Sequence, residues 1–304
     1  MWGQTRVVTT DKAIAFLQEL LDAEVEALEP LKGGDWSVAY GFKADGRNLV
    51  ARFGRHVDDF QKDRAASRFS SIDLPVPDVV EIAPTPEGYC CVSQRLYGEP
   101  IDDVGPDQMR GLVPAVLRLW DSLRKADISF WIAELGAPEQ TWTEQLLSVD
   151  EENERVHGWH DRMRASPIGI EPFEKGMGRL RELARDCPDA QFLQHNDLLH
   201  WNVLVQGDRI TAVFDWGCAG LGDFLYDLAI FEFYRPWMPS VAVVDWAGVT
   251  RRHYQEIGLD VPDFDLRLKC YLTHVGLTGM AYCAFIDDEA ELLRVAERLG
   301  DVSL

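Results

Sequence analysis

A dense group of polar and ionisable residues directly precedes a short apolar run, and this feature constrains the fold more than any other. The segment reads QHNDLLHWNVLV, residues 194–205. It places His195, Asn196 and Asp197 together, and Asn202 follows the aspartate by five residues. A connecting loop needs only one or two turn formers. The density of polar groups therefore predicts a functional site that lies immediately before a buried strand.

A second aspartate completes the pattern after a hairpin. Residues 202–217 predict two short strands joined at residues 207–208, and the second strand ends on the sequence DWG at 215–217. The order H-x-D-x-x-x-x-N, hairpin, D-x-G is typical of phosphoryl transfer, and all three parts rarely coincide by chance. The chain has no GxxxxGK[ST] motif, which excludes a P-loop enzyme.

Each polar residue of the pattern has a chemical role in this interpretation. Asp197 accepts a hydrogen bond from the attacking hydroxyl group and orients it toward the γ-phosphate. Asn202 and Asp215 supply the hard oxygen ligands that Mg²⁺ prefers. His195 is expected to brace the loop through hydrogen bonds. A zinc site at His195 and His200 is an alternative, but no cysteine accompanies them at ligand spacing.

The first third of the chain predicts mainly strands. Apolar residues recur every three or four positions over 11–28, which predicts an amphipathic helix there. Residues 33–54 predict a strand, a turn at residues 45–46 and a second strand. The other elements predicted in this part are a helix around 57–71, a proline-bounded connection over 74–82 that leads into another strand, and a strand over 88–98.

The remainder predicts helices, apart from the hairpin at 202–217. They are expected over 107–126, 140–150, 172–187, from near Leu221, and over 246–258, 263–285 and 287–299. Strands followed by helices are typical of an α+β chain with two lobes. The boundary is expected near 96–103. We therefore predict a nucleotide-binding N-terminal lobe over 1–97, led by the helix, and a catalytic and substrate-binding lobe over 98–304.

The predicted N-terminal sheet also offers groups for a nucleotide. Gly33, Gly34 and Ser37 suit a loop that covers phosphates with backbone and hydroxyl donors. Arg52 is the cation on the next strand, and its planar fork matches phosphate oxygens. Asp63, on the following helix, is the expected partner of Arg52. The alternative is that Arg52 is an ordinary exposed strand residue.

Three residues of the segment FEFYRPWMP, 231–239, are candidates for the acceptor pocket. Glu232 could bind an ammonium group, while Tyr234 and Trp237 offer aromatic faces to sugar rings. An equally weighted alternative places both aromatic side chains in the core at the end of a helix.

Charge and cysteine usage narrow the partners. The net charge of −21 over 304 residues argues against a nucleic-acid partner, because phosphates would be repelled. It fits either a generally acidic surface or a cleft that attracts a polycation.

The six cysteines form no CxxC pair, and no signal peptide precedes the first helix, so a reduced cytoplasmic protein is expected. The apolar stretch at 271–285 is too short to span a bilayer and predicts a buried helix.

Beyond these motifs, the chain resembles the aminoglycoside phosphotransferases, and within that family the hygromycin branch. The similar segments, in order, are FQKDRAASRFSSIDLPVPDVV, GYCCVSQRLYGEPI, TWTEQLL, VHGWHDRM, RITAVFDWGCAGLGDFLYDLA and FYRPW. The resemblance implies a bilobal protein-kinase-like fold, with a small antiparallel β-sheet lobe and a larger, mainly helical lobe. It also implies ATP and Mg²⁺ as cofactors, and an adenine site formed by backbone groups near Gln94, Arg95 and Leu96.

Two departures from the family pattern concern the catalytic loop. Asn196 stands where the wider family has glycine, and the sequence LLHWN differs from that of the hygromycin branch. The expected acceptor is nevertheless a small cationic aminocyclitol antibiotic, with hygromycin B first, and the expected protein is a monomer without membrane contact. A kinase of choline, homoserine or an amino sugar is the first alternative, and a non-catalytic nucleotide-binding regulator is a remote second.

Overall fold

The computed structural model describes residues 8–32 and 36–303. The chain forms two compact units. The first contains the residues up to Ile101 together with Asp127–Gly136 and Trp201–Ala219, and the second contains Asp102–Ala126, Ala137–His200 and the residues from Gly220 onward. The hairpin predicted at 202–217 therefore belongs to the first unit. The boundary predicted between residues 97 and 98 stays a prediction.

The elements are numbered here in chain order. The strands are β1 Glu26–Pro30, β2 Ser37–Ala44, β3 Arg47–Gly54, β4 Val79–Thr85, β5 Gly88–Gln94, β6 Glu99–Pro100, β7 Phe192–Gln194, β8 Val203–Gln206, β9 Arg209–Val213 and β10 Gly220–Gly222. The α-helices are α1 Thr10–Leu21, α2 Val57–Ser67, α3 Pro106–Lys125, α4 Ser129–Leu135, α5 Trp142–Leu147, α6 Trp159–Ala165, α7 Glu171–Leu183, α8 Tyr226–Tyr234, α9 Trp246–Glu256, α10 Phe264–Phe285 and α11 Glu289–Ser303.

A five-stranded antiparallel sheet dominates the first unit, with strand order β1-β2-β3-β5-β4. Side chains alternate between its faces, and Tyr40, Phe42 and Phe53 are buried on one of them against Leu17 of α1. The predicted turn is present, with Asp45 and Gly46 both at positive φ. In the same unit, β6, β8 and β9 form a smaller sheet that contains the predicted hairpin.

The predicted helix over 11–28 is wrong in its second half. Helix α1 ends at Leu21, Asp22 adopts a left-handed conformation, and Glu26–Pro30 forms β1. The apolar residues at 25 and 28 fit the helical spacing, but the backbone of this segment pairs with β2 instead. Sheet pairing satisfies the exposed N–H and C=O groups at the edge of β2, and this overrides a weak local preference.

The second unit is mostly helical, so the α+β expectation is confirmed. Helix α10 is the buried helix predicted from 271–285, and among the described residues no helix is long and apolar enough to cross a membrane. The helix expected near Leu221 begins only at Tyr226, because Gly220–Gly222 pairs with β7. Helices α4 and α6 were not predicted, since each has only 7 residues and little periodicity.

Candidate active site

The N-terminal side of the catalytic loop is held by one buried carboxylate. The loop begins where β7 ends at Gln194, and Asp227 lies in the first turn of α8 with 2% of its surface exposed. The backbone N–H groups of His195 and Asn196 donate to its two oxygens, at 3.1 and 2.8 Å. Burial raises the pKa of Asp227, against the lowering effect of the two N–H donors. This carboxylate links the loop to α8.

His195 has the bracing geometry that the sequence predicts. Its side chain is fully buried, and its Nδ1 accepts a hydrogen bond from the backbone N–H of Asp197 at 3.2 Å. Because Nδ1 acts as an acceptor, the ring carries no proton there. The histidine therefore fixes the backbone of Asp197. Its role in catalysis remains a prediction.

The departure from glycine at residue 196 has a local conformational explanation. Asn196 has φ 65°, in the left-handed region where glycine is favoured and asparagine is tolerated best among the other residues. His200 and Trp201, later in the loop, also have positive φ. The loop therefore keeps the backbone turn that a glycine would make, with a polar side chain added.

Asp197 presents a partly exposed carboxylate that contacts a second histidine. Its Oδ1 lies 2.7 Å from Nδ1 of His200, and the backbone N–H of His200 donates to Asp102 at 2.8 Å. The ring of His200 meets that of Tyr234 edge to face, at 5.0 Å. Desolvation lowers the pKa of His200, whereas the hydrogen bond with Asp197 and the charges of Asp197 and Asp102 raise it. The raising effects are larger in sum, so the pKa of His200 lies above its ordinary value.

The predicted metal ligands lie at one end of the β8–β9 hairpin. Val203 pairs with Val213, and the carbonyl group of Asn202 accepts the N–H of Phe214 at 3.1 Å, which brings the residues just outside the strands together. Asn202 is buried, whereas the carboxylate of Asp215 is 45% exposed. One amide oxygen and one accessible carboxylate fit Mg²⁺, which needs few protein ligands and keeps several waters.

The cation predicted on β3 joins two carboxylates of the first unit. Arg52 hydrogen-bonds to Asp63 of α2, as expected, and its Nη1 lies 3.0 Å from Oδ1 of Asp215. Asp63 also accepts the backbone N–H of Trp216 at 3.0 Å. Arg52 is thus mostly buried and ion-paired, which rules out the alternative of an ordinary exposed strand residue. That these groups bind nucleotide phosphates remains a prediction.

The other residues predicted to bind the nucleotide are described in part. Gly33 and Gly34 lie outside the described residues, and Ser37 begins β2 opposite Gly54. The N–H groups of Gln94 and Arg95 donate to the carbonyl groups of residues 78 and 48, at 2.9 and 3.0 Å. These two N–H groups are therefore already hydrogen-bonded within the protein. The predicted adenine contacts must then use other backbone groups of residues 94–96, including those of Leu96.

All three candidate acceptor residues have partners within the second unit. The carboxylate of Glu232 is buried, accepts the N–H of Ala247 at 2.9 Å and lies 3.5 Å from Arg235. Trp237 stacks on Phe233, with ring centroids 5.9 Å apart. Both contacts favour structural roles. Tyr234 is the candidate that reaches the catalytic loop, through His200.

Several residues at the site were missed by sequence reasoning or were assigned no role in transfer. Asp102 and Asp227 carry the loop contacts, and His200 was considered only as a zinc ligand. The signal for Asp227 was present, since an aspartate within the apolar run FLYDLAIF must have buried partners. Trp201 was also missed. In the structure, Nζ of Lys32 lies 3.3 Å from the centroid of its ring. Within the described ranges, no group of three or more acidic, histidine or cysteine side chains could hold a metal ion, so the zinc alternative has no support.

Comparison with known proteins identifies the family of the chain. Residues 27–257 match the model of the phosphotransferase enzyme family, APH. The chain is 30% identical to hygromycin-B 4-O-kinase of Escherichia coli, over 92% of this chain and 81% of the relative.

Solved structures extend the likeness to the fold. A crystal structure of a thermostable mutant of the aminoglycoside phosphotransferase APH(4)-Ia, in a ternary complex with AMP-PNP and hygromycin B, is 26% identical with a TM-score of 0.81, over 95% of this chain and 97% of that one. Aminoglycoside 2'-phosphotransferase-IIIa, at 15% identity, shares the fold with a TM-score of 0.62, over 95% and 96% of the two chains. The predicted fold is thus confirmed. The chain belongs to the phosphotransferase enzyme family, among the aminoglycoside phosphotransferases, and is a phosphotransferase with an alcohol group as acceptor.

Proposed function

We propose that this protein transfers the γ-phosphoryl group of ATP to a hydroxyl group of a cationic aminocyclitol antibiotic, with hygromycin B as the first substrate to test, and so confers resistance. The observation that carries the proposal is the position of Asp197. Its backbone is held by His195, and its carboxylate is 31% exposed, as a group that receives an acceptor hydroxyl must be. The similarity to a hygromycin-B kinase along most of both chains supports the choice of acceptor.

In this proposal each residue contributes positioning or charge. Asp197 accepts a hydrogen bond from the acceptor hydroxyl and aligns its oxygen for attack. Arg52 contacts phosphate oxygens through its planar fork while Asp63 holds it in place. Asn202 and Asp215 would hold Mg²⁺, which when bound neutralises charge on the phosphates. The net charge of −21 favours the approach of a polycationic acceptor.

The proposal is tested on purified protein with a panel of aminoglycosides and with choline, homoserine and amino sugars. Phosphate transfer is followed by ADP release, and the products are identified by mass. We expect turnover with hygromycin B, and tolerance of that antibiotic in bacteria that express the protein. Asp197→Asn is expected to lower kcat at least about 10³-fold without loss of folding. Turnover of a metabolite with none of any aminoglycoside would refute the antibiotic assignment.

A further inference from the structure

The catalytic aspartate has a partner that the H-x-D-x-x-x-x-N pattern does not include. Nδ1 of His200 lies 2.7 Å from Oδ1 of Asp197, three residues earlier in the same loop. An ionised carboxylate only accepts hydrogen bonds, so Nδ1 of His200 must be the donor. A hydrogen bond to a charged acceptor at this distance is among the stronger kinds and restricts rotation of the carboxylate.

His200 is itself held from two directions within the second unit. Its backbone N–H donates to Asp102 at 2.8 Å, and the ring of Tyr234 lies against the imidazole at 5.0 Å and 84°. Asp102 is in turn tied to Ser240, whose hydroxyl donates to the carbonyl group of Asp102 at 3.2 Å. The loop backbone at His200 has φ 61°, in the left-handed region that histidine adopts more often than most non-glycine residues.

We propose that His200 is a positioning residue for phosphoryl transfer, which holds one oxygen of Asp197 so that the other faces the acceptor hydroxyl. The inference rests on the proposed function. It states that His200 sets the orientation of the Asp197 carboxylate. Asp102 and Tyr234 act through His200, by fixing the backbone and the ring that carry the donor.

The test separates the donor from the backbone conformation. Glycine and asparagine both accept a positive φ, but only asparagine places an N–H donor near the position of Nδ1. We expect His200→Gly to keep its thermal stability and its KM for ATP, and to lose roughly ten- to a hundred-fold in kcat. His200→Asn is expected to recover most of this loss. His200→Gln, whose donor lies further out, is expected to recover less.

A matched control removes the side chain of another left-handed residue. Asp263 has φ 54° and precedes α10. We expect Asp263→Gly to leave kcat within about two-fold of the wild type, because loss of one such side chain does not by itself disturb the loop. The positioning role is refuted if His200→Gly keeps the wild-type kcat, or if His200→Asn is as impaired as His200→Gly while both remain folded.

Two readouts distinguish this inference from the proposed function. The same variants are compared on slow ATP hydrolysis, in which water replaces the antibiotic, so the positioning effect is measurable even if no aminoglycoside is phosphorylated. Nitrogen-15 chemical shifts of the histidines report which ring nitrogen carries hydrogen. We expect a protonated Nδ1 at His200 in the wild type, and a changed signal in Asp197→Ala. A bare Nδ1 at His200 would overturn the proposal whatever the substrate proves to be.

Discussion

Arg52 of β3 and Asp215, the predicted metal ligand of the DWG sequence, form an ion pair of 3.0 Å. The same guanidinium also binds Asp63, whose other oxygen accepts the N–H of Trp216. A single cation therefore ties helix α2 and the end of the β8–β9 hairpin to the main sheet of the first unit. Because arginine has several donors in a fixed fork, it can hydrogen-bond to both carboxylates at once.

The first prediction compares the stability of variants at Arg52 and at Asp215. Arg52→Ala is expected to lower the free energy of unfolding by about 3 kcal/mol, because it leaves the buried Asp63 without its cation. Arg52→Lys should lose less. Asp215→Asn should stay within about 0.5 kcal/mol of the wild type, because Asp215 is 45% exposed. Urea unfolding measures all three, and equal losses in Arg52→Ala and Asp215→Asn would contradict the assignment of the buried partner.

A second prediction follows from the left-handed conformation of Asn196 at φ 65°. Asn196→Ala is expected to lower stability by about 1 kcal/mol, since alanine pays the full steric penalty of this conformation. Asn196→Gly relieves the steric penalty, but it also increases the entropy of the unfolded chain, which lowers stability. Because the two effects oppose each other, the stability of this variant should stay within about 0.5 kcal/mol of the wild type. Thermal unfolding at one pH compares the variants. If alanine is tolerated as well as glycine, the loop does not need the positive φ.

The residues proposed to carry the chemistry were the easiest to find in the sequence. Asp197, Asn202 and Asp215 have the spacing of a known phosphoryl-transfer pattern, and the strands of its hairpin lie where predicted. Arg52 and Asp63 could be paired because the kinase-like pattern places a cation on this strand and a carboxylate on the following helix, and the structure shows their contact. Local patterns suffice where function imposes both the residue type and the spacing.

The groups that hold this chemistry in place were not predictable in the same way. Asp102 and Asp227 are 98 and 32 residues distant in sequence from the loop residues they bind. No periodicity relates them, and only the packed second unit brings them together. Strand β1 was missed for a similar reason, because its pairing with β2 depends on the neighbouring strand and not on its own spacing.

A third prediction concerns Asp227 and the stability of the catalytic loop. Asp227→Ala leaves the N–H groups of His195 and Asn196 without their acceptor, and loss of about 3 kcal/mol in stability is expected, with a lower kcat. Asp227→Asn keeps one acceptor oxygen and removes the buried charge, so its loss should be smaller. Unfolding curves and initial rates on the same samples give both quantities. A kcat that is unchanged in Asp227→Ala would show that the loop needs no anchor on α8.

The final prediction uses His274, which lies on α10 with its Nδ1 hydrogen-bonded to the hydroxyl group of Tyr226 at 2.6 Å. Desolvation lowers the pKa of His274 to about 4, from an ordinary value of 6.5. Above pH 6.5 the ring is neutral in both the folded and the unfolded chain, so it has no effect on the pH dependence. As the pH falls from 6.5 to about 4, the unfolded chain binds a proton that the folded chain does not, and the folded state becomes less stable.

The loss from this histidine is at most about 3 kcal/mol, at roughly 1.4 kcal/mol for each pH unit. His274→Asn keeps an amide group near the position of Nδ1, where it can hydrogen-bond to Tyr226, but it cannot titrate. We therefore expect the free energy of unfolding of the wild type to fall more steeply than that of His274→Asn between pH 6.5 and pH 4, while the two curves run parallel above pH 7. Urea unfolding at intervals of half a pH unit measures both slopes. Curves that run parallel over the whole range would show that His274 binds its proton equally well in the folded and unfolded chains.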